Sequence, residues 1–487
     1  MSRRPPRRPV RALTLAASVA WAELRHDPRR AVLLAVRLLP SRARRPLRPL
    51  ERRLAVRARP SGPSGEPSPA RVTTTPGRPI RPVPGRVLHL VTDGPPYRHT
   101  GHTLRTQALA RAQSASGLDP HVVTRIGFPV TQGVFDARPL HLLEGVPQHR
   151  LLPWWLPYGS GPVLARNAEL AARLVERLRP SVLHAAGDHG NGRVALALRE
   201  AYRLPVVYEV RCFPEESWLT LAPGRRRSDE TYRALRELET YCMREADAVL
   251  TLGEAMKAES VSRGVPEERV RIAPDAVDPN FLEAPPDGRA LRARLGIGPD
   301  EYVVGTAGAL TRQEGIGTLL EAGAELRRRG VPVRLLVAGE GPERRTLEEL
   351  AGHLGLDDGA AQFTGRLPHD QVRAYHAVLD VFAVPRTDER AGHLMTPFEP
   401  VEAMASGLPV AASDLTAMRE LVESGLTGRL IPPESSLAWA DELEMMLYSP
   451  RRRQAWGAAA RAAVARDRTW ARVAGTTRDT YRALGCL

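Results

Sequence analysis

Cysteine, lysine and aromatic residues are scarce in this chain of 487 residues. There are three cysteines, Cys212, Cys242 and Cys486, and their spacing matches neither a metal site nor a set of disulfide pairs. This argues against a small disulfide-stapled secreted domain, and we expect a reducing, cytoplasmic setting. Lysine occurs once, at Lys257, and aromatic residues make up 5% of the chain, so its basic character rests almost entirely on arginine.

Long apolar runs are also missing. No stretch approaches the roughly 18 consecutive apolar residues of a transmembrane helix. The apolar segments near the N-terminus are interrupted by Glu23, Arg25, His26 and Asp27. We therefore expect neither a membrane span nor a cleaved signal peptide.

The net charge of +15 is concentrated in residues 1–60. This segment holds 17 arginines and 3 acidic residues, a net charge of +14, which leaves +1 for the rest of the chain. Its composition predicts a basic extension that is partly helical or disordered, and 28–39 has the spacing of an amphipathic surface helix. Because the interleaved aromatic residues that stack on bases are lacking, we expect no nucleic-acid partner. Such an extension favours peripheral contact with the anionic inner face of the cell membrane.

The rest of the chain alternates short apolar runs with helical patterns in two series. Residues 61–85 are rich in Pro, Gly and Ser and predict a linker. Strand–helix alternation then runs through 86–285 and again through 286–450, and helical patterns fill 451–487. This rhythm predicts an α/β protein with two Rossmann-like, doubly wound parallel-sheet domains, since one hydrophobic core cannot serve a chain of this length. We expect the last segment to cross back to the first domain and 127–160 to be a long irregular insertion.

Several segments carry a resemblance to a known family. They stand in the family's order and spacing, and they are VSRGVPEERVRIAPDAVD (261–278), VAGEGPERRTLEEL (337–350) with FTGRLP (363–368), TPFEPVEAMASGLPVAASD (396–414) and RELVESGLTGRLIPP (419–433). Together they resemble glycosyltransferase family 4, the large group of retaining transferases with the GT-B fold. One subgroup of that family is similar to three further segments, TGHTLR (100–105), YEVR (208–211) and PRTDERAGHLMTPFEPVEAMA (385–405).

The resemblance implies a GT-B architecture, with an N-terminal acceptor domain and a C-terminal donor domain facing a cleft. It implies transfer of a sugar from a nucleotide-sugar donor to a sugar or lipid-linked acceptor, with retention, in polysaccharide or glycoconjugate biosynthesis. Such transfer requires neither a protein nucleophile nor a bound metal. The chain contains no D-x-D tripeptide, the metal-binding signature of the other main transferase fold. We therefore expect no cofactor and no metal ion.

The same resemblance places the nucleotide-sugar site mainly in the second domain. The diphosphate is expected beside Thr396, Pro397 and Phe398, where free N–H groups at the start of a helix favour an anion. Glu402 is expected on the ribose hydroxyls, because a carboxylate accepts two hydrogen bonds; a plain surface glutamate is the alternative. Turn glycines that let the backbone approach phosphate, and the loop facing the base, complete the predicted site: Gly101, Gly308, Gly365 and Arg366.

Two cations that many family members place near the diphosphate are missing. Ala309 and Glu314 stand where the family pattern has arginine and lysine. Arg312 lies close by in the sequence, and Arg386 and Arg390 belong to the PRTDER loop. We expect one or more of these three guanidiniums to bind the diphosphate, because arginine grips phosphate through two hydrogen bonds. The alternative is that all three are solvated loop arginines.

The reacting centre departs from the family pattern at two positions. Leu394 replaces the first glutamate of the family's E-x7-E pair, and we expect Glu389 or Asp388 to serve from a shifted loop. Arg211 aligns with the family's acceptor-side histidine, so Arg211 and Glu209 are candidates for the reacting centre. His184, on the preceding predicted strand, is a further candidate; the alternative is a structural histidine whose hydrogen bonds are satisfied.

Two other functions share this architecture. A GT-B nucleotide-sugar epimerase, or a glycogen-phosphorylase-like enzyme, is disfavoured by the EAMASGLPV segment (402–410). A non-catalytic GT-B scaffold or binding subunit is the other alternative, and Ala309, Glu314 and Leu394 favour it. That alternative predicts that no nucleotide sugar is hydrolysed or transferred.

Overall fold

Two sheets of mostly parallel strands, with helices connecting the strands, organise the chain. The computed structural model describes residues 75, 77–220 and 224–487. The predicted extension over 1–60 and most of the predicted linker over 61–85 therefore lie outside the described residues. Within the described part, no helix is both long enough and apolar enough to cross a membrane. The two α/β domains confirm the fold class predicted from the strand–helix alternation.

The first domain contains eight strands and six helices. The strands are β1 (Arg86–Val91), β2 (Asp119–Thr124), β3 (Leu140–Leu143), β4 (Val146–Arg150), β5 (Val182–Ala186), β6 (Val206–Glu209), β7 (Ala248–Thr251) and β8 (Val270–Ile272). The helices are α1 (Gly101–Ala115), α2 (Ser160–Leu178), α3 (His189–Tyr202), α4 (Pro214–Thr220), α5 (Glu230–Glu245) and α6 (Glu254–Ser262). The strand order is β3-β4-β2-β1-β5-β6-β7-β8. β1 and β5–β7 are almost entirely buried, as their near-continuous apolar runs predict for a parallel sheet.

The second domain contains six parallel strands in the order β11-β10-β9-β12-β13-β14. They are β9 (Tyr302–Ala307), β10 (Val333–Ala338), β11 (Ala361–Gly365), β12 (Val381–Val384), β13 (Val410–Ser413) and β14 (Gly428–Ile431). Its helices are α7 (Arg289–Arg294), α8 (Ile316–Arg328), α9 (Arg344–His353), α10 (Val372–His376), α11 (Arg390–Leu394), α12 (Glu399–Ala405), α13 (Thr416–Arg419) and α14 (Ser436–Leu447). In both sheets the strand order reverses beside the first strand, which is where doubly wound folds bind ligands.

The segment over 127–160 was predicted to be irregular, and this is wrong for its middle. There β3 and β4 form an antiparallel hairpin, and β4 extends the sheet by pairing in parallel with β2. Glu144 and Gly145, the two residues between these strands, have φ angles of 47° and 80°. Positive φ at both positions is what a two-residue hairpin turn requires. The Glu-Gly pair between two apolar runs was the available signal.

The chain ends with two helices, α15 (Pro450–Asp467) and α16 (Trp470–Ala483), and the second of them returns to the first domain. α16 packs along α1. The side-chain amide of Gln113 on α1 donates to Thr477 Oγ1 and to the hydroxyl of Tyr481, both at 3.0 Å. The far end of the sequence thus contributes side chains to the interior of the N-terminal domain.

Ion pairs and a helix cap connect the two domains at one side of the cleft. Arg390, from α11 of the second domain, places Nη2 2.6 Å from Glu259 Oε2 and Nε 3.1 Å from Glu216 Oε1 of the first domain. The carboxylate of Glu420 accepts hydrogen bonds of 2.8 and 2.7 Å from two backbone N–H groups at the start of α6. A carboxylate at that position is favoured because these N–H groups have no partner within the helix. The two domains are therefore held in a defined relative orientation.

Candidate active site between the domains

A cavity of about 520 Å³ opens between the domains. About half of its lining residues follow strands of the first domain, because the carboxyl ends of parallel strands meet at one edge of a sheet, and the start of α1 with the loop before it supplies most of the others. Thr396 and Phe398 of the second domain line the opposite side. The polar side chains on the first-domain wall include Asp93 after β1, Asp188 after β5 and Arg211 after β6.

Glu209, the last residue of β6, lies beneath this wall between two arginines. Its Oε1 accepts hydrogen bonds from Arg105 Nε at 2.9 Å and Nη2 at 2.6 Å, and its Oε2 accepts one from Arg211 Nε at 2.9 Å. Glu209 is fully buried, whereas both arginines line the cavity. Burial alone would raise the pKa of Glu209, but the positive charges of Arg105 and Arg211 hold it well below its usual value. Glu209 is thus a permanently ionised carboxylate that fixes two guanidiniums.

Arg105 has no N–H donor left for a ligand. Besides its two bonds to Glu209, it donates to the carbonyl oxygens of Ala273 at 2.6 Å and Pro274 at 2.8 Å, and to Asp275 Oδ1 at 3.0 Å. These five hydrogen bonds use all five donors of the guanidinium. Arg105 therefore ties α1 to the segment that leads from β8 towards the second domain. We did not predict this residue, although it ends the TGHTLR segment; the signal was an arginine inside the apolar pattern of a helix.

His184 lies inside the first sheet and does not reach the cavity. It is fully buried on β5, where Nδ1 hydrogen-bonds the hydroxyl of Tyr481 at 2.6 Å and Nε2 lies 3.5 Å from Glu209 Oε2. The ring of His89 is adjacent, with ring centroids 4.6 Å apart. In this arrangement His184 supports Glu209 from behind and does not touch a ligand. Tyr481, which completes the contact, was not predicted, because it comes from the last helix of the chain.

Glu402, the predicted ribose ligand, is on α12 and is 4% exposed. Its Oε1 is buried and has no hydrogen-bond partner among the described residues; the nearest cation-forming group, His369 Nδ1, is 3.7 Å away. Burial raises the pKa of Glu402 well above its usual value, and the carboxyls of Glu399 and Asp278 raise it further. Leaving a buried polar atom without a partner costs free energy, so this carboxyl is placed for something that the protein itself does not supply.

Glu402 lines a smaller cavity of about 190 Å³ that also spans both domains. Arg111 and Trp470 contribute to it from the first-domain side, His369 and Glu402 from the second domain. Phe398 lines both this cavity and the larger one, so the two cavities are adjacent. A nucleotide placed with its ribose at Glu402 has the larger cavity as its neighbour.

The segment before α12 reaches the cavity wall. Thr396 is 7% exposed, and its Oγ1, like Glu402 Oε1, is buried without a hydrogen-bond partner in the part of the chain that the structure describes. Pro397 is buried and Phe398 is half-buried. α12 itself has only seven residues, Glu399–Ala405, so its dipole is short. The predicted diphosphate site therefore rests on the unpartnered hydroxyl and on the two adjacent cavities more than on the helix end.

Glu399 is the remaining carboxyl at this position. It is half-buried, and a Cβ built on Gly308 would lie 3.6 Å from its Oε1, which places the carboxyl at the end of β9. Burial raises the pKa of Glu399 to about 7, with a further contribution from Glu314, while Arg386 opposes the shift. Glu399 therefore changes charge near neutral pH at the position where the diphosphate is predicted.

The four predicted turn residues occupy different surroundings. Gly101 begins α1 at the wall of the larger cavity, and a Cβ there would meet nothing within 4 Å. Gly308 has φ 147° and Gly365 has φ 76°, so both adopt backbone conformations that other residues rarely reach. Arg366 is exposed after β11. The close backbone approach expected at Gly101 is sterically open.

The loop arginines predicted for the diphosphate are engaged with carboxylates. Arg386 donates from Nε and Nη2 to Glu314, both at 3.1 Å, and Arg390 is bound to the first domain as described above. Arg312 is the most accessible of the three, with 77% of its side chain exposed and its Nε 3.9 Å from Glu389 Oε1. The negative charge of Glu314, where the family pattern has lysine, is thus neutralised by Arg386. The role of the three arginines stays a prediction, as does that of Glu389.

Two family models match the chain. "Glycosyl transferase 4-like domain" matches residues 100–276, and "Glycosyl transferases group 1" matches residues 287–463. Alpha-D-kanosaminyltransferase of Streptomyces kanamyceticus is 31% identical over 44% of this chain and 55% of its own length. D-inositol 3-phosphate glycosyltransferase of Corynebacterium urealyticum is 31% identical over 60% of this chain and 69% of its own length. The chain spans little more than half the length of several curated relatives, the kanosaminyltransferase among them.

Solved structures share the fold. Sucrose-phosphate synthase from Thermosynechococcus elongatus has a TM-score of 0.67 and 22% identity, covering 82% of this chain and 99% of its own. Anabaena Alr3699/HepE, in complex with UDP and glucose, has a TM-score of 0.63 and 20% identity, covering 82% of this chain and 99% of its own. At these identities the likeness establishes the fold alone.

Two Rossmann-like domains that face each other across a ligand cleft define the GT-B class of proteins. Within that class, the chain belongs to the glycosyltransferase family described by the two models, with a 4-like first domain and a group 1 second domain. The predicted family resemblance is confirmed at this level. The finer subgroup, suggested by YEVR (208–211) and PRTDER (385–390), stays a prediction.

Proposed function

We propose that the protein transfers a sugar, with retention, from a nucleotide-sugar donor to a hydroxyl group of a sugar or lipid-linked acceptor in polysaccharide or glycoconjugate biosynthesis. The observation that carries this proposal is the carboxyl of Glu402. It is buried between the domains with an unpartnered oxygen, and it belongs to the EAMASGLPV segment (402–410) that resembles the family's nucleotide-sugar site. A pair of ribose hydroxyls supplies the donors that this oxygen lacks.

The two adjacent cavities support this proposal, because each offers space for one half of such a donor. With the ribose at Glu402 in the smaller cavity, the diphosphate and sugar extend past Phe398 into the larger one. There the backbone at Gly101 and the hydroxyl of Thr396 face them. The first-domain wall, with Asp93, Arg211 and their neighbours, is then left for the acceptor. This division matches the expected donor role of the second domain and acceptor role of the first.

The proposed chemistry needs charge stabilisation more than a nucleophile. The acceptor oxygen forms a bond to the anomeric carbon, the bond from that carbon to the diphosphate breaks, and the acceptor proton moves to the departing phosphate oxygen. Negative charge develops on the diphosphate, so preorganised donors there lower the barrier. Arg312 is accessible for this role, and Arg386 becomes available if it exchanges Glu314 for phosphate. Arg211 borders the reacting centre, and Glu209 holds it in place.

The test is nucleotide binding by the full-length protein, measured by calorimetry across UDP, GDP, ADP, TDP and the corresponding nucleotide sugars. Saturable binding of one base, followed by release of the free nucleotide from its sugar conjugate, supports the proposal and names the donor. A folded protein that binds none of these nucleotides would contradict it. That result would favour a non-catalytic GT-B scaffold, in which Glu314 and Glu399 occupy the phosphate position.

Donor binding is expected to weaken as the pH rises through about 7, because Glu399 ionises there. Below this pH the protonated carboxyl donates a hydrogen bond, whereas above it a negative charge faces the diphosphate. We expect the dissociation constant of the nucleotide sugar to increase about tenfold between pH 6 and pH 8.5, about 1.4 kcal/mol of repulsion in a partly solvated site. Glu399→Gln, which cannot ionise, removes this dependence. A wild-type and a Glu399→Gln protein with the same pH profile would contradict the assignment.

A further inference from the structure

The larger cavity contains one imidazole, that of His102, which has no role in the proposed donor site. His102, the second residue of α1, lines the cavity and is exposed to it. It is the only histidine among the residues that line this cavity. Its ring nitrogens have no hydrogen-bond partner within residues 77–220 and 224–487. His184, by contrast, is fully buried and bound to Tyr481.

The backbone that carries His102 is rigid. Thr100 and Thr103 form a reciprocal capping box at the start of α1. The carbonyl oxygen of His102 accepts a hydrogen bond from Arg211 Nη1 at 2.7 Å, and Arg211 is itself held by Glu209. The Cβ atom of His102 therefore has a fixed position at the cavity wall, and rotation about χ1 and χ2 directs the ring towards a ligand.

The hydrogen bond from Arg211 to the His102 carbonyl relates His102 to the position of the family's acceptor-side histidine. The residue after β6 that aligns with the family's acceptor-side histidine is Arg211, and its guanidinium is committed to Glu209, to Thr106 Oγ1 and to the His102 carbonyl. Only one of its N–H donors is left, and a guanidinium has no acceptor. Arg211 therefore cannot accept a hydrogen bond from an attacking hydroxyl, but it holds the backbone of a residue that can.

We propose that the imidazole of His102 accepts a hydrogen bond from the hydroxyl group that attacks the donor sugar, a role that rests on the transferase function proposed above. The proton of that hydroxyl still leaves with the departing phosphate, so His102 ends each turnover unchanged. Its contribution is to orient the attacking oxygen towards the anomeric carbon, and such positioned groups are worth about 10²-fold in rate.

The charge state of His102 suits this role. Although one side of the ring is open to the cavity, the surrounding protein atoms desolvate it, and this desolvation together with the charge of Arg211 lowers the pKa of His102, while Asp275, Asp93 and Glu209 oppose the shift. The imidazole is therefore neutral at pH 7 and has one nitrogen lone pair free to accept a hydrogen bond. Protonation at lower pH removes that lone pair, so activity is expected to fall on the acid side only below the ordinary pKa range of histidine.

The experiment measures hydrolysis of the nucleotide sugar selected by the binding screen, with water as the attacking group, so that no knowledge of the acceptor is needed. His102→Phe in the full-length protein is expected to lower the hydrolysis rate constant about 100-fold while the dissociation constant of the nucleotide changes less than twofold. His102→Gln, whose amide oxygen accepts a hydrogen bond, is expected to restore part of the rate and to lose the acid limb of the pH profile. His353→Phe, an exposed position on α9, is the matched control and is expected to behave as wild type.

Each other outcome has a definite meaning. An unchanged hydrolysis rate in His102→Phe, or an acid limb that survives in His102→Gln, would overturn the role of His102 and leave the proposed function standing. A wild-type protein that binds the nucleotide sugar without hydrolysing it, or that binds no nucleotide at all, would favour the non-catalytic scaffold and overturn the proposed function, and the role of His102 with it.

Discussion

Replacing Glu209 with alanine is expected to lower the free energy of unfolding of the first domain by about 3–5 kcal/mol, because it leaves two buried guanidiniums without their shared counter-charge. Arg105 is 1% exposed and Arg211 is 5% exposed, so water cannot take the place of the lost carboxylate. For a domain of this size the thermal midpoint should fall by about 10 °C. Thermal and urea unfolding followed by circular dichroism measure the effect.

The matched control is the exposed pair Arg345 and Glu349 on α9, whose side chains are 90% and 56% exposed. Glu349→Ala is expected to change the unfolding free energy by less than about 0.5 kcal/mol, because water screens surface ion pairs. Glu209→Gln keeps the shape of the side chain and removes its charge, so it should lie between the two. A Glu209→Ala protein as stable as wild type would show that the buried cluster does not hold the domain together as described.

Replacing Glu402 with alanine is expected to weaken nucleotide-sugar binding by about 30- to 100-fold without lowering the stability of the protein. Two lost hydrogen bonds to the buried carboxyl account for about 2–3 kcal/mol of binding free energy. In the absence of ligand, the same carboxyl is buried with an unpartnered Oε1, so removing it relieves a desolvation cost. Affinity falling while the thermal midpoint holds or rises is the signature of a binding residue rather than a structural one.

Calorimetry with the nucleotide identified by the screen, beside thermal unfolding without ligand, separates the two effects. Glu402→Gln retains one oxygen acceptor and is expected to lose about tenfold in affinity, less than the alanine variant. Glu423→Ala, at an exposed position of the same domain, is the control and should bind as wild type. If Glu402→Ala binds nucleotide normally, or unfolds at a clearly lower temperature, then Glu402 is a structural residue and the ribose assignment fails.

Most of the fold follows from patterns that act over short distances. The strands over 302–307, 333–338 and 410–413 are apolar runs of the length that buried parallel strands require, and the structure forms strands there. The hairpin of β3 and β4 was missed because its two short strands carry mixed polar residues and its signal was a single Glu-Gly turn. The family itself is recognisable because residues such as those of 396–414 are adjacent in the sequence.

The hydrogen-bond and ion-pair partners of the candidate residues, by contrast, come from distant parts of the sequence. Arg105 meets Glu209 across 104 positions, and His184 meets Tyr481 across 297. The sequence predicts Arg386 and Arg390 as phosphate ligands. In the structure both form ion pairs with carboxylates of other elements. No local pattern specifies such partners, since any of the many arginines satisfies the same charge rule.

The amino-acid sequence by itself therefore identified a two-domain member of a GT-B glycosyltransferase family, and a segment around Glu402 that resembles the family's nucleotide-sugar site. The packing of distant elements decided which polar groups are consumed and which stay available: every N–H donor of Arg105 has a partner and His184 is buried against Tyr481, whereas Glu402 Oε1 and the ring of His102 have no partner among the described residues. The physical reason is that periodicity and turn chemistry are properties of neighbouring residues, while burial and the choice of an ion-pair partner exist only once the chain has folded.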